Sequence, residues 1–202
     1  RFHKYKNLIK GLVVTGPNQL WVSDITYIDI EGDSDYLHLV TDAYSHKIIG
    51  WCLADSLSAK HTLEALRMAI RQTGKDDLSG LIHHSDRGIQ YCCNAYVAEL
   101  ELHHISISMT EDYKPTDNAI AERVNGILKQ ELIYRRKRFA SHEEAYEVIE
   151  RFITFYNDSR PHMSIDYQTP SVAHQQVGTQ QRHWKGYQER CQQNQYNICQ
   201  PI

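Results

Sequence analysis

Residues 20–53 read LWVSDITYIDIEGDSDYLHLVTDAYSHKIIGWCL, and this stretch decides the fold class. Leu20 to Ile28 is rich in β-branched and aromatic side chains, the composition that suits a pleated, half-buried strand. Gly32-Asp33-Ser34-Asp35 supplies a turn. Tyr36 to Asp42 gives a second strand, Ala43-Tyr44-Ser45 a tight connection, and His46 to Leu53 a third strand. Links this short predict an antiparallel meander.

Downstream of the meander the apolar period changes. Ser58 is a good N-cap. Leu63, Leu66 and Ile70 then fall on one helical face, and Gly74 is placed to end the helix. Leu81 to Ser85 predicts a short strand, Asn94 to Leu102 a helix, and Ile105 to Ser108 another strand. After a polar loop containing Pro115, Asp117 is expected to cap a long helix running to about Arg135. Ser141 opens a last helix, with Glu144 at the capping-box position, that continues to about Asn157. The order βββ-α-β-α-β-α-α predicts an α/β domain, a mixed five-stranded sheet flanked by helices, which is the element order of the ribonuclease-H-like fold.

A length of 202 residues suits one domain with a substantial core. The expected organisation is a basic N-terminal arm over 1–17, a core over 18–172 and a Gln-rich C-terminal tail over 173–202, which Trp184 and Tyr187 could anchor. No apolar run approaches a membrane span and no leader has signal-peptide layout, so a cytoplasmic protein is expected. The chain begins with Arg1 rather than Met, so a preceding segment is expected too. The cysteines number five, an odd count; two are adjacent and none forms a C-x-x-C pair, which argues for reduced thiols. Neither Cys nor His occurs at the short spacing that structural zinc sites use, so no zinc site is expected.

The formal net charge of −3 is not that of a typical nucleic-acid binder. Distribution matters more than the sum, however. Arg135-Arg136-Lys137-Arg138 is a cationic run, and Arg1, Lys4, Lys6 and Lys10 crowd the start. A carboxylate cluster built to hold divalent cations also makes the metal-free chain look too acidic.

Three carboxylates stand out. Asp24 lies mid-strand on the face shared with Val22 and Ile28, a costly place for a charge unless it is paired or metal-bound. Asp86 lies just beyond the Leu81 strand, where open α/β sheets place ligand-binding groups. Glu122 lies in the first turns of the long helix, with 122 − 86 − 1 = 35 residues between it and Asp86. On that helix Ile120, Val124, Ile127 and Leu128 form an apolar stripe, while Glu122, Gly126 and Lys129 form a second stripe nearly opposite Ile120. Acidic groups brought together would repel and raise one another's pKa, so the cluster makes sense around cations. Mg²⁺ or Mn²⁺, two ions, would suit in-line phosphoryl displacement. Spacing alone leaves the bland alternative open, an ion-paired Asp and a solvated Glu among 25 acidic residues.

The words around these residues carry more. Trp21-x-x-Asp24-Ile25-Thr26-Tyr27, His84-Ser85-Asp86-Arg87-Gly88-x-Gln90-Tyr91, and Asp117-Asn118-Ala119-x-Ala121-Glu122 through Leu128-Lys129-x-Glu131 resemble the integrase-core transposases of bacterial insertion sequences, relatives of retroviral integrases. Tyr156-Asn157-x-x-Arg160-Pro161-His162 and Thr169-Pro170 resemble that family's closing signature. The resemblance covers about residues 18–172. It implies that Asp24, Asp86 and Glu122 are the catalytic, metal-binding carboxylates, and that the enzyme cuts element ends and joins 3′-hydroxyls to target DNA as a homo-oligomer on DNA. It implies a DNA contact for Lys129. Arg87, Gln90, Arg135 and Arg136 are further candidate DNA contacts, and His84 and Ser85 are expected to shape the site. For the four residues of the Asp86 segment, holding the loop by hydrogen bonds is the competing reading. Asn118 is expected to orient the helix start, and Arg160 and His162 to brace the last helix.

The sequence also departs from the family. Residues 109–116 replace the short Gly-containing loop of many members. No helix-turn-helix precedes residue 18, and the His/His/Cys/Cys zinc domain of integrases is absent, so recognition of element ends is expected to be incomplete here. A nuclease of the same fold without joining activity, or an inactive DNA-binding remnant, remain alternatives.

Overall fold

A computed structural model describes residues 5–111, 119–133 and 138–179. Asp117, Asn118, Arg135, Arg136, Trp184 and Tyr187 lie outside the described residues. The meander forms, with a tighter first turn than expected: β1 (Leu20–Ile30) pairs antiparallel with β2 (Asp33–Asp42), and β2 with β3 (Ile48–Ala54). Asp33, Ser34 and Asp35 pair with Ile30, Asp29 and Ile28 inside the ladder instead of forming the turn. Two short parallel strands extend the other side of β1, β4 (Ile82–Ser85) and β5 (Ser106–Met109). The order across the sheet is β3-β2-β1-β4-β5, so β1 is central.

The third strand starts two residues later than its composition predicts. Asp42 accepts the Ser45 backbone N–H and hydroxyl, and its own carbonyl accepts the His46 N–H. This closes a turn in which His46 takes a left-handed φ of 60°, a conformation that cannot continue into a strand.

Helix α1 (Ala59–Thr73) begins with the Ser58 side chain accepting the Lys60 N–H and ends at a left-handed Gly74. It lies tight on β3. A Cβ on Gly50 would fall 2.1 Å from the Ala65 carbonyl oxygen, so only glycine permits this approach. Helix α2 (Asn94–Leu102) joins α1 over the same face, burying Tyr96 and Leu100 beside Leu63, Leu66 and Trp21.

The opposite face carries α3 (Ala119–Leu128) and α4 (His142–Asp158) over Ile28, Leu37, Leu39 and Leu53. Ser141 caps α4 by accepting the Glu144 N–H, while the Glu144 carboxylate accepts the Ala140 N–H. The expected uniform helix to about Arg135 is not what forms: α3 gives way at Lys129–Ile133 to a wider π-helical turn. A 3₁₀ turn (Met163–Ile165) and the short α5 (Pro170–Ala173) follow α4.

The described part of the arm begins at Tyr5. Its Leu8 N–H meets Ser108 Oγ and its Lys10 ammonium meets Glu111 at 2.6 Å, so it runs along β5. Among the described residues no helix is long and apolar enough to cross a membrane.

Candidate active site

Strand register brings the first two carboxylates together. Val22 pairs with His84 across the parallel β1–β4 ladder, so Asp24 and Asp86 each stand two residues further along neighbouring strands. The two-residue alternation, carried one position past the end of β4, puts both on the face that α3 covers. Asp24 is half-buried there and Asp86 is exposed. Burial raises the Asp24 pKa above the usual carboxylate value and the Asp86 charge adds to it, while hydrogen bonds from the Ile25 N–H and Asn125, together with the Lys129 ammonium, pull it back.

Asn125 is the partner that no sequence motif announced. It sits on the buried side of α3 at 5% exposure and donates from Nδ2 to Asp24 Oδ2 at 2.5 Å. Sequence offered one signal: Asn125 interrupts the apolar positions Ala121, Val124, Leu128 and Leu132, all buried. A buried amide is retained where it has a polar partner. Among the described residues the Asn125 Oδ1 and the hydroxyl of buried Tyr91 have no hydrogen-bond partner. Both Asp24 and Asp86 help to raise the Tyr91 pKa, after the larger effect of burial.

The loop after β4 is shaped around Asp86. Its Oδ1 accepts the Gly88 N–H at 2.8 Å. A Cβ on Gly88 would lie 2.9 Å from that same oxygen and 2.8 Å from Gln90 Oε1, so glycine at 88 is a condition of the carboxylate's position. Gln90 thus borders Asp86. Arg87 keeps its Nε buried with no hydrogen-bond partner among the described residues. His84 and Ser85 take the loop-holding reading, His84 Nδ1 meeting Ser108 Oγ at 2.8 Å and Ser85 Oγ donating to the Asp86 carbonyl. Beneath them, His83 Nε2 is shared by Ser23 and Tyr96 at 2.8 and 2.9 Å. Burial first, then the neighbouring His84, depress its pKa to about 3.

Helix α3 presents the remaining residues. Glu122 is exposed, and Gly126 and Lys129 are half-buried on the expected stripe. A Cβ on Gly126 would meet open space. The described residues do not bring Glu122 into one coordination cluster with Asp24 and Asp86: the trio whose ligand atoms all lie within 4.8 Å of one another is Cys52, His61 and Glu64. Below Lys129, Glu131 receives a two-point contact from Arg160, at 2.9 and 2.5 Å, and Arg160 also touches the His162 ring. Arg160 therefore does brace the segment after α4, and it braces it against the π turn that carries Lys129.

The donor set at Asp24 and Asp86 fits a hard divalent cation. It pairs the half-buried Asp24 carboxylate with the exposed Asp86, whose charge opposes it, next to orphaned polar atoms able to bond a cation's water.

An integrase core domain profile matches residues 14–115, and a second profile of the same description matches residues 103–170. The chain belongs to the integrase core family. Its relatives are transposases of bacterial insertion sequences. A protein of insertion sequence element IS986/IS6110 from Mycobacterium tuberculosis is 37% identical over 147 residues, covering 71% of this chain and 53% of that protein. The transposase for insertion sequence element IS904 of Lactococcus lactis is 35% identical over 167 residues, covering 81% of this chain and 64% of its own length. The integrase-core chain thus spans only about half to two thirds of these relatives. Among solved structures, the HTLV-2 integrase catalytic core domain in complex with magnesium superposes with a TM-score of 0.63 at 19% identity, over 80% of this chain and 99% of that one. The sheet and its flanking helices are accordingly the ribonuclease-H-like fold.

Proposed function

We propose that the chain is the catalytic core of a metal-dependent transposase, with Asp24, Asp86 and Glu122 as its catalytic carboxylates, cleaving phosphodiesters at element ends and joining the 3′-hydroxyls to target DNA. The observation that carries this reading is the β1–β4 register, which runs Asp24 and Asp86 out along neighbouring strands, near enough for the Asp86 charge to raise the Asp24 pKa. The solved HTLV-2 core holds magnesium, and two Mg²⁺ or Mn²⁺ ions suit the donor set here. When bound, such cations would stabilise the developing charge on the phosphodiester and acidify the attacking water or 3′-hydroxyl.

The chain's own residues orient and neutralise. Asn125 fixes the rotamer of Asp24, and the Gly88 N–H fixes that of Asp86. Glu122, exposed on the first turns of α3, would supply the third carboxylate to bound cations. Lys129, whose charge already reaches Asp24, pairs with a DNA phosphate at the mouth of the site. Arg87 offers its guanidinium to another phosphate, and Gln90 to phosphate or sugar. Arg135 and Arg136 would extend this cationic path. Two DNA ends must be handled at once, so a homo-oligomer on DNA in the cytoplasm is the working form.

Strand chemistry tests the reading. With Mn²⁺, a duplex carrying element ends and a supercoiled target plasmid, the wild-type chain nicks and joins, and Asp86→Asn does neither while keeping its circular dichroism spectrum. Metal-dependent nicking that survives in Asp86→Asn contradicts the assignment, and nicking without joining in the wild type points to a nuclease of the same fold.

A further inference from the structure

On the far side of the sheet, away from α3, β3 and α1 bring together three side chains of a kind the catalytic reading does not use. Cys52 projects from β3 beneath α1, whose first turns carry His61 and Glu64 three residues apart on one face. Cys52 Sγ lies 3.3 Å from Glu64 Oε2, and His61 Nδ1 lies 3.6 Å from the same carboxylate oxygen. Zinc bonds of about 2.3 Å to sulfur and about 2.0 Å to nitrogen or oxygen, opened to a tetrahedral angle, give ligand edges of about 3.5 Å and about 3.3 Å. The observed separations already match these edges to within a few tenths of an ångström. The thiol and imidazole are half-buried, and the carboxylate opens to solvent, leaving a fourth direction for water. His38, directly opposite Cys52 in the β2–β3 ladder, walls the cluster, and its Nδ1 is held by Thr62.

We propose that Cys52, His61 and Glu64 form a second metal site, distinct from the catalytic one and selective for a thiolate- and imidazole-preferring divalent ion such as Zn²⁺. The chemistry separates the two sites. A sulfur and a nitrogen ligand reject Mg²⁺, whereas the all-carboxylate catalytic set accepts it. On binding, the proton that Cys52 now donates to Glu64 leaves to solvent, and the thiolate, the neutral imidazole nitrogen and the carboxylate take the ion. The ion ties the sheet's outermost strand to the helix that covers it. Sequence spacing hid the site: eight residues separate Cys52 from His61, and the close approach of α1 allowed by Gly50 brings them together.

Co²⁺ serves as the optical probe and Zn²⁺ as the competitor, using the full chain in an Asp24→Asn/Asp86→Asn background that removes the catalytic carboxylates. The expected result is a thiolate-to-cobalt charge-transfer band with the intense visible bands of a tetrahedral ion, abolished by one equivalent of Zn²⁺ and by Cys52→Ser. Zn²⁺ at about a hundredfold excess over its Kd should also raise the Tm by roughly 5–10 °C. Should Cys52→Ser fail to fold, Glu64→Gln, at a half-exposed position, is the second variant, and it should lose most of that thermal shift. No charge-transfer band, a band that persists in Cys52→Ser, or a Zn²⁺ shift unchanged in Glu64→Gln would each overturn the proposal.

Discussion

Replacing Asn125 by Ala removes the side-chain hydrogen bond that orients Asp24. The lost hydrogen bond runs from an amide to a carboxylate at 2.5 Å, in a setting where such bonds contribute about 1.5–3 kcal/mol. Without cations, Asp24 can answer by taking up a proton, because burial already raises its pKa. The metal-free fold should therefore lose little Tm. Cations require Asp24 ionised and correctly oriented, so they bear the cost. At about 1.4 kcal/mol per tenfold, the bond corresponds to roughly 10- to 100-fold in metal affinity, the range typical of residues that orient metal ligands. The assay titrates Mn²⁺ against DNA nicking. Asn125→Ala should move the midpoint upward by that factor and recover much of the wild-type rate at saturating metal. An unchanged midpoint would refute the orienting role, and a rate lost at every concentration would mean that Asn125 acts on DNA or fold instead.

Other expectations concern DNA, stability and pH. Lys129→Ala should weaken DNA binding and reduce the slope of log K against log salt by about 1, the signature of one phosphate contact; an equal slope in wild type and variant would remove Lys129 from the interface. Asp42 is fully buried and accepts the Asn18 and Ser45 N–H groups and the Ser45 hydroxyl. Asp42→Ala leaves three donors unmet and should cost about 3–5 kcal/mol, a fall in Tm of roughly 10 °C or more by thermal unfolding; a loss of only a degree or two would show that the turn re-forms without it. His38, His46 and His162 are held neutral chiefly by burial, each with its pKa lowered to about 4. For such groups the unfolded chain binds more protons between pH 4 and 6.5. Stability is therefore full above pH 6.5 and falls as pH drops toward 4. A pH series of Tm values should show that decline, and a flat profile would contradict the buried neutral assignments.

What was legible in the sequence was local. The composition of Leu20 to Ile28, the Ser58 and Gly74 caps and the Ser141 cap each depend on neighbours within a few residues, and each formed as expected. Asp24 could be placed on the face of Val22 and Ile28 because strand alternation is a local rule. The misplaced start of the third strand came from a side chain: Asp42 folds back on Ser45 and turns His46 left-handed, which strand propensity does not report. Long-range partners were hidden for a different reason. Asn125 meets Asp24 across 101 residues, and Arg160 meets Glu131 only after α4 has returned along the sheet. Gly88 was visible as a word, yet its reason, the space occupied by Asp86 Oδ1, exists only once the loop is built. Cys52, His61 and Glu64 likewise come together through the packing of α1 on β3.

With DNA bound, Asp24, Asp86 and Glu122 are proposed to form one divalent-cation site. Calorimetric titration of Mn²⁺ into the full chain with a DNA end bound, repeated for Asp24→Asn, Asp86→Asn and Glu122→Gln, tests it most directly. Millimolar or tighter binding is expected in the wild type, removed or weakened at least tenfold by each of the three substitutions. Binding of equal strength in all four proteins would contradict it.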